Sequence, residues 1–250
     1  MYKKLLEDSK KVILECLQIK KKYNNKKNNF HFVKKLKKEL KSDIDIKIEK
    51  KILKYLKKTQ INILSEEKGF IEYNKNNKHY WILDPVDGTY NYVKKIGPST
   101  ISLALYNGKT PIFGVIGLYP ENKIVYGGKN FKSRYDNNLI KVSNISKHDE
   151  STLFTGFPSR LKFDNYNLDD YNKFFTKFKK IRMIGSASYS IFNICNGKAE
   201  YYYEKNIMIW DVAAALAILQ GSGGKFKINN IYKDESIELH ATNKKIKYLL

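Results

Sequence analysis

The chain of 250 residues is long enough for one substantial core or two closely packed halves, and its 42% hydrophobic and 14% aromatic content excludes a disordered polymer. The formal net charge of +22 raises nucleic acid or an anionic membrane as partners. Only Arg134, Arg160 and Arg182 are arginine, however, and lysines scattered through every segment carry the remaining charge. Dispersed lysine solvates a surface, whereas bidentate phosphate and base recognition favours arginine. Nucleic acid is thus the weaker expectation, and an anionic small molecule would still benefit from the positive field.

Cys16 and Cys195 are too few and too far apart for a disulfide framework or a thiolate metal site, and read as buried free thiols. Met1 to Asp8 holds no apolar run of signal-peptide length. The longest strongly apolar stretch, Val212 to Leu219, is too short to span a bilayer. These features predict a soluble, cytoplasmic protein with no membrane partner.

In chain order, Leu5, Leu6, Val12, Ile13, Cys16 and Leu17 recur at helical spacing and predict an amphipathic helix over residues 3–22. A polar break from Tyr23 to Asn29 follows. Ile44, Ile48, Ile52 and Tyr55 predict a second helix that ends near Lys58. Short β-rich runs come next, around Asn62 to Leu64, Tyr80 to Leu83, Ile101 to Tyr106 and Ile112 to Leu118. Gly127-Gly128 and Asp136 to Asn138 read as loops or tight turns. In the second half, helices are predicted over 167–178 and 188–196, with strands around 152–155, 180–184 and 199–203. Asp211 to Gln220 is a helix that Gly221 to Gly224 stops ahead of a strand. The alternation, without a repeat or a linker, predicts one α/β unit of stacked layers over 1–250, its weakest boundary near 144–150.

The stretch Trp81-Ile82-Leu83-Asp84-Pro85-Val86-Asp87-Gly88-Thr89-Tyr90-Asn91-Tyr92 carries the most chemistry. It reads as a buried strand ending in Asp84, a turn at Pro85, and a helix opened by Asp87-Gly88-Thr89. Two carboxylates three residues apart at such a turn can converge on one hard cation, with the Val86 carbonyl as a further oxygen ligand. The N–H groups of Gly88 and Thr89 would cradle a phosphate at the helix start. The plain alternative is an ordinary turn with helix-capping aspartates. Glu66-Glu67 follows a predicted strand and by itself reads as a solvated acidic turn. Asp211, at the first turn of an Ala-rich helix, by itself reads as a helix N-cap.

Taken in order, Glu66-Glu67, the run D-P-V-D-G-T-Y-N from Asp84 to Asn91, the run W-D-V-A-A-A from Trp210 to Ala215, and Gly223-Gly224 resemble the signature of the inositol monophosphatase family over about four-fifths of the chain. The resemblance implies a layered α/β/α/β/α sandwich, two or three Mg2+ ions, lithium sensitivity and a homodimer. It implies Glu66, Asp84, the Val86 carbonyl, Asp87 and Asp211 as metal ligands, with Glu66 and Thr89 also orienting the attacking water. Asp45 resembles an acidic residue of an early helix that hydrogen-bonds Thr89. The family's Thr two residues before it is Asp43 here. Asp87, Gly88, Thr89, Gly185-Ser186-Ala187 and Glu204 resemble substrate-pocket positions, and Glu204 would accept hydrogen bonds from sugar or inositol hydroxyls. Its plain alternative is an exposed turn charge. Tyr92 stands for the family's usual Phe, and Pro98 is displaced by one position. His31, His79, His148 and His240 fall outside every motif and read as surface residues.

Carboxylates without nearby His or Cys select Mg2+ over zinc or copper, and no G-x-x-x-x-G-K-[ST] run is present. The expected function is hydrolysis of a small sugar or inositol phosphate by metal-activated water. The alternatives are a 3'(2'),5'-bisphosphate nucleotidase or fructose-1,6-bisphosphatase, and, outside enzymes, a basic nucleic-acid-binding or regulatory protein on the same fold.

Overall fold

The computed structural model describes residues 1–24, 32–36, 39–157, 168–232 and 236–249. The polar break expected over 23–29 and His31 lie largely outside them. Helix α1 (Tyr2–Asn24) leads to a hairpin of β1 (Phe32–Leu36) and β2 (Glu39–Ser42), then to α2 (Asp43–Leu56). Ile44, Ile48, Ile52 and Leu56 recur at every fourth position of α2 and are fully buried, as one turn per 3.6 residues requires of a single buried stripe.

The first sheet contains β3 (Asn62–Ser65), β4 (Gly69–Ile71), β5 (His79–Asp87), β6 (Ser99–Asn107), β7 (Thr110–Tyr119), β8 (Lys123–Gly128), β9 (Phe131–Tyr135) and β10 (Asn138–Leu139), with α3 (Thr89–Lys94) between β5 and β6. Its spatial order is β10-β9-β8-β7-β6-β5-β3-β4, and only β3–β5 pair in parallel. The second sheet contains β11 (Thr152–Thr155), β12 (Lys180–Arg182), β13 (Tyr201–Met208), β14 (Lys225–Ile231) and β15 (Ser236–Thr242), in the order β12-β11-β13-β15-β14. Helices α4 (Leu168–Phe175), α5 (Ala187–Cys195) and α6 (Ile209–Gly221) complete the chain.

Three apolar clusters set the layers. The stripes of α1 and α2 pack on one face of the first sheet with Trp81, Leu83, Leu103 and Phe113. The other face meets α5 and α6, which also contact the second sheet through Tyr202, Leu239 and Ala241. Helix α6 is buried from Val212 to Leu219, as a helix apolar on all sides must be. Contact there is close: a Cβ on Gly114 of β7 would lie 2.3 Å from the Ala214 carbonyl oxygen. Tyr171 and Phe178 cover the outer face of the second sheet against Leu153, Tyr201 and Tyr203. The result is the expected α/β/α/β/α layering. Among the described residues no helix is long and apolar enough to cross a membrane.

Several local expectations need correction. Strand β5 does not end at Asp84; it continues through Pro85 to Asp87, and its register with β6 shifts between Asp84 and Asp87. A proline, lacking an N–H, is accommodated at such an irregularity. Gly127-Gly128 belongs to β8, where a Cβ on Gly128 would lie 2.1 Å from the Ile112 carbonyl oxygen, so the pair marks close strand packing. The β1–β2 hairpin was not expected, because Phe32-Val33-Lys34-Lys35-Leu36 shows no alternation. His240 is buried at 3% exposure, its Nδ1 2.8 Å from the Tyr201 hydroxyl, and is no surface residue. The stretch 144–150 is coil and one 3-10 turn, tied by Asn243 Nδ2 donating to the Ile145 carbonyl at 2.8 Å. Cys16 and Cys195 are free and buried, and burial pushes both thiols up to about 12.

Candidate active site

The carboxylates named from sequence sit where element ends meet. Strand β3 delivers Glu66, whose backbone N–H donates to the Leu83 carbonyl of β5 at 3.1 Å. Asp84, 1% exposed, accepts the Val86 N–H at 2.8 Å with Oδ1, while its buried Oδ2 has no hydrogen-bond partner. Asp211 is not the N-cap of α6: Met208 holds that position, and Asp211 stands in the first turn. Its carbonyl accepts from Ser188 Oγ at 2.6 Å, which anchors α6 to α5.

Asp87 faces the start of α5. Its Oδ2 accepts from Ser186 Oγ at 2.7 Å and the Ser188 N–H at 2.8 Å, and its Oδ1 accepts the Ala187 N–H at 3.3 Å. Ser186 is the N-cap of α5, so a carboxylate supplied by β5 meets the donors that begin this helix. Gly88 joins the two regions. At φ +79, a Cβ there would lie 3.0 Å from the Gly185 carbonyl oxygen and 3.2 Å from Ser186 Cβ. Asn91 Nδ2 reinforces the contact, donating to the Pro98 carbonyl at 2.9 Å and the Ile184 carbonyl at 2.5 Å. The expected phosphate cradle at Gly88 and Thr89 opens only the six-residue helix α3.

Asp45 is 2% exposed in the first turn of α2. Its Oδ2 accepts the Ser42 N–H at 3.0 Å and the Ser42 hydroxyl, while its Oδ1 lies 3.0 Å from Thr89 Oγ1. Ser42, three residues before Asp45, supplies a hydroxyl, and Asp43 instead lies 3.3 Å from the Tyr23 hydroxyl. Thr89 Oγ1 is also 2.8 Å from the Val86 carbonyl oxygen. Its single proton serves one of these acceptors at a time.

The acidic groups feel one another. Loss of solvent raises Asp84 well above the usual carboxylate range, and the negative charges of Glu66, Asp211 and Asp87 add to it. Asp211 is raised likewise by burial, then by Asp87, Glu66 and Glu204. Glu66 is exposed as a residue, but its carboxyl is hemmed in by protein; that, then the charges of Asp45 and Glu67, raises it to about 8. Burial also raises Asp87, against its hydrogen bonds from Ser186, Ser188 and Ala187. Mutual repulsion on this scale makes the cluster receptive to a cation. Among the described residues, no three acidic, His or Cys side chains converge closely enough to ligate a metal as they stand. The donor set nevertheless suits a hard divalent ion: it is oxygen only, and the buried Asp84 Oδ2 meets no hydrogen-bond partner while its carboxyl is repelled by that of Glu66.

Glu204 is no exposed turn charge. It lies in β13 at 6% exposure and accepts from the Tyr202 hydroxyl at 2.6 Å, and burial pushes it up to about 7. A Cβ on Gly156 would approach its Oε2 to 2.6 Å. Glu204 and Asp87 border one cavity of about 650 Å3, with Asn91, Ser186, Ala187 and Ser190 as further polar or small walls. Ile96, Phe157, Met183 and Ile207 make its other side apolar. Sequence reasoning missed Lys20, Ser42, Gly156, Ser188 and Tyr202. Lys20 alone left a signal, as a lysine on the apolar stripe of Ile13, Cys16 and Leu17.

The chain is similar to known proteins in sequence and in fold. A model described as the inositol monophosphatase family matches residues 3–230. The "Nus factor SuhB" of Xylella fastidiosa is 30% identical over 203 residues, covering 80% of this chain and 73% of that protein. The "Fructose-1,6-bisphosphatase/inositol-1-monophosphatase" of Aquifex aeolicus is 27% identical over 90% of this chain and 86% of its own length. An inositol monophosphatase structure from Anabaena (Nostoc) superposes with TM-score 0.83 at 25% identity, covering 97% of this chain and 91% of its own. The extragenic suppressor protein suhB of Bartonella henselae, 22% identical, shares the fold with TM-score 0.84 over 94% of this chain and 92% of its own. Matched from its first helix to its penultimate strand, the chain belongs to the inositol monophosphatase family.

Proposed function

We propose that the chain is a Mg2+-dependent phosphomonoesterase that hydrolyses a small sugar or inositol phosphate by attack of water. Family membership supports a phosphatase. The observation that carries the finer reading is the shared acidic field of Glu66, Asp84, Asp87 and Asp211 beside a Thr89 hydroxyl held by Asp45. Glu66, Asp84, the Val86 carbonyl, Asp87 and Asp211 would hold the ions. Bound there, Mg2+ supplies charge that neutralises the ester and acidifies water.

The remaining steps belong to the chain. Asp45 Oδ1 accepts the Thr89 proton, so the Thr89 oxygen presents lone pairs to a water, and Glu66 orients that water from the end of the neighbouring parallel strand β3. Ser186 does donate its hydroxyl to Asp87 Oδ2 at 2.7 Å, but in this reading that carboxylate is committed to the ions and to the N–H groups that begin α5, so water and not the serine is the attacker. Glu204 accepts hydrogen bonds from substrate hydroxyls in the cavity. No basic side chain is among the described residues lining it.

The test is phosphate release from a panel of metabolite monoesters and bisphosphates with Mg2+. Turnover of monoesters alone is the expected result, and preference for a bisphosphate would support the fructose-1,6-bisphosphatase activity named for the Aquifex relative. The similarity to a protein named Nus factor SuhB favours, as a second reading, a regulatory role. That reading gains if no ester turns over while RNA or DNA binds with a steep salt dependence.

A further inference from the structure

Lys20 is fully buried in α1. Its Nζ donates to Ser99 Oγ at 2.8 Å and lies 4.7 Å from the Tyr92 ring centroid and 5.3 Å from that of Tyr119. Tyr92 in turn donates its hydroxyl to the Lys20 carbonyl at 3.0 Å, so α3 clasps both ends of this residue. A buried ammonium is costly to keep unless hydrogen bonds and opposite charge compensate for lost water. One hydroxyl and two ring faces supply part of that. Full burial lowers Lys20 to about 7, and the charges that oppose this fall are those of Asp45, Asp84 and Asp87.

The same three carboxylates belong to the candidate site. They come from α2 and from the end of β5, while Ser99 begins β6 next to Thr100, whose hydroxyl lies 3.4 Å from Asp87 Oδ2. The buried ammonium is therefore tied to the β6 residue that adjoins the Asp87 contact, and it is absent from the residues that line the cavity. We propose that Lys20 is a resident counter-cation of this site: a positioning residue whose positive charge balances the acidic cluster when it is empty and weakens its hold on divalent ions. The inference rests on reading the carboxylates as a divalent site. Its logic is electrostatic: a doubly charged ion feels the removal of one neighbouring charge twice as strongly as a competing proton does. A weaker hold suits turnover, because ions and the product phosphate must be able to leave.

The test compares wild type with Lys20→Met and Ser99→Ala, each stripped of metal and titrated with Mg2+ alone at matched pH values from about 6 to about 8. Calorimetry gives Kd, and the Mg2+-induced rise in Tm gives an independent measure, since a ligand stabilises in proportion to its affinity. Lys20→Met should bind Mg2+ about tenfold more tightly and show the larger rise in Tm. Ser99→Ala, which unties the ammonium and makes its charge harder to keep, should shift both readouts the same way by about threefold. It also decides the matter if Lys20→Met does not fold. A purely structural role would lower Tm equally with and without Mg2+ and leave Kd unchanged. Equal or weaker Mg2+ binding in the folded variants overturns the proposal alone. Absence of Mg2+ binding in wild type overturns the metal reading together with it.

Discussion

Thr89 and Asp45 stand 44 residues apart in sequence, yet Thr89 Oγ1 lies 3.0 Å from Asp45 Oδ1. The contact joins the first turn of α2 to the start of α3, and the Ser42 N–H and hydroxyl hold the far oxygen of Asp45. A threonine fixed in this way positions a water through its oxygen and adds no charge for a metal. Thr89→Ala should therefore lose kcat by about 100-fold while Mg2+ affinity and KM are roughly kept, and Thr89→Ser should recover much of the loss. Steady-state kinetics with Mg2+ calorimetry checks this. Inversion at an isotopically labelled phosphorus is the expected stereochemistry, and retention would point to a phosphoenzyme.

Asp84→Asn and Asp211→Asn should lower turnover by about a thousandfold or more and weaken Mg2+ binding, with the fold preserved. In the metal-free protein both substitutions should hold or raise Tm, because each removes a buried carboxylate repelled by its neighbours. Near-normal activity in either variant at low Mg2+ would remove that residue from the ligand set.

The metal-free protein should lose stability as pH rises. A carboxyl raised in the fold binds its proton more tightly there than in the unfolded chain. Stability is therefore greatest below its unfolded value and falls until the folded value is passed. For Glu204 the fall runs from about 4.5 to about 7, and for Glu66 to about 8. Thermal melts of Glu204→Gln should show a shallower decline up to about 7, and saturating Mg2+ should flatten the wild-type curve. A wild-type Tm that rises over this window would contradict the buried, repelling cluster.

Glu204→Ala should raise KM for polyol phosphates more than it lowers kcat, since its contacts are with non-reacting hydroxyls. Gly156→Ala should reproduce the KM effect in milder form, because the new methyl would press on Glu204 Oε2. A pure kcat loss in Glu204→Ala would place the residue elsewhere in the reaction.

Gly114→Ala should destabilise the fold by about 1–3 kcal/mol, because its Cβ would meet the α6 backbone rather than a side chain able to move. Denaturant unfolding measures this, and an unchanged midpoint would show that the β7–α6 contact is looser than it stands.

Local periodicity and motif order determined a good deal. The stripes of α1 and α2, the strand at β11 and the apolar helix α6 were legible, because spacing within one element depends on neighbours along the chain, while Glu66, Asp84, Asp87 and Asp211 were singled out together only by the order of motifs that resembles the family. Tertiary structure decided what depends on distant partners. Pro85 looks like a strand stop, yet β6 and β3 carry β5 past it to Asp87. Asp211 looks like a cap, yet Met208 begins the helix and the carboxyl turns to the cluster. Glu204 and His240 look solvent-facing by composition, but β13 and β15 bury them where hydroxyls of Tyr202 and Tyr201 meet their polar atoms. Lys20 shows the limit most sharply: on a helical wheel it only interrupts an apolar face, and its meaning comes from Ser99, Tyr92 and Tyr119, residues 72 to 99 positions away that folding alone brings to its ammonium.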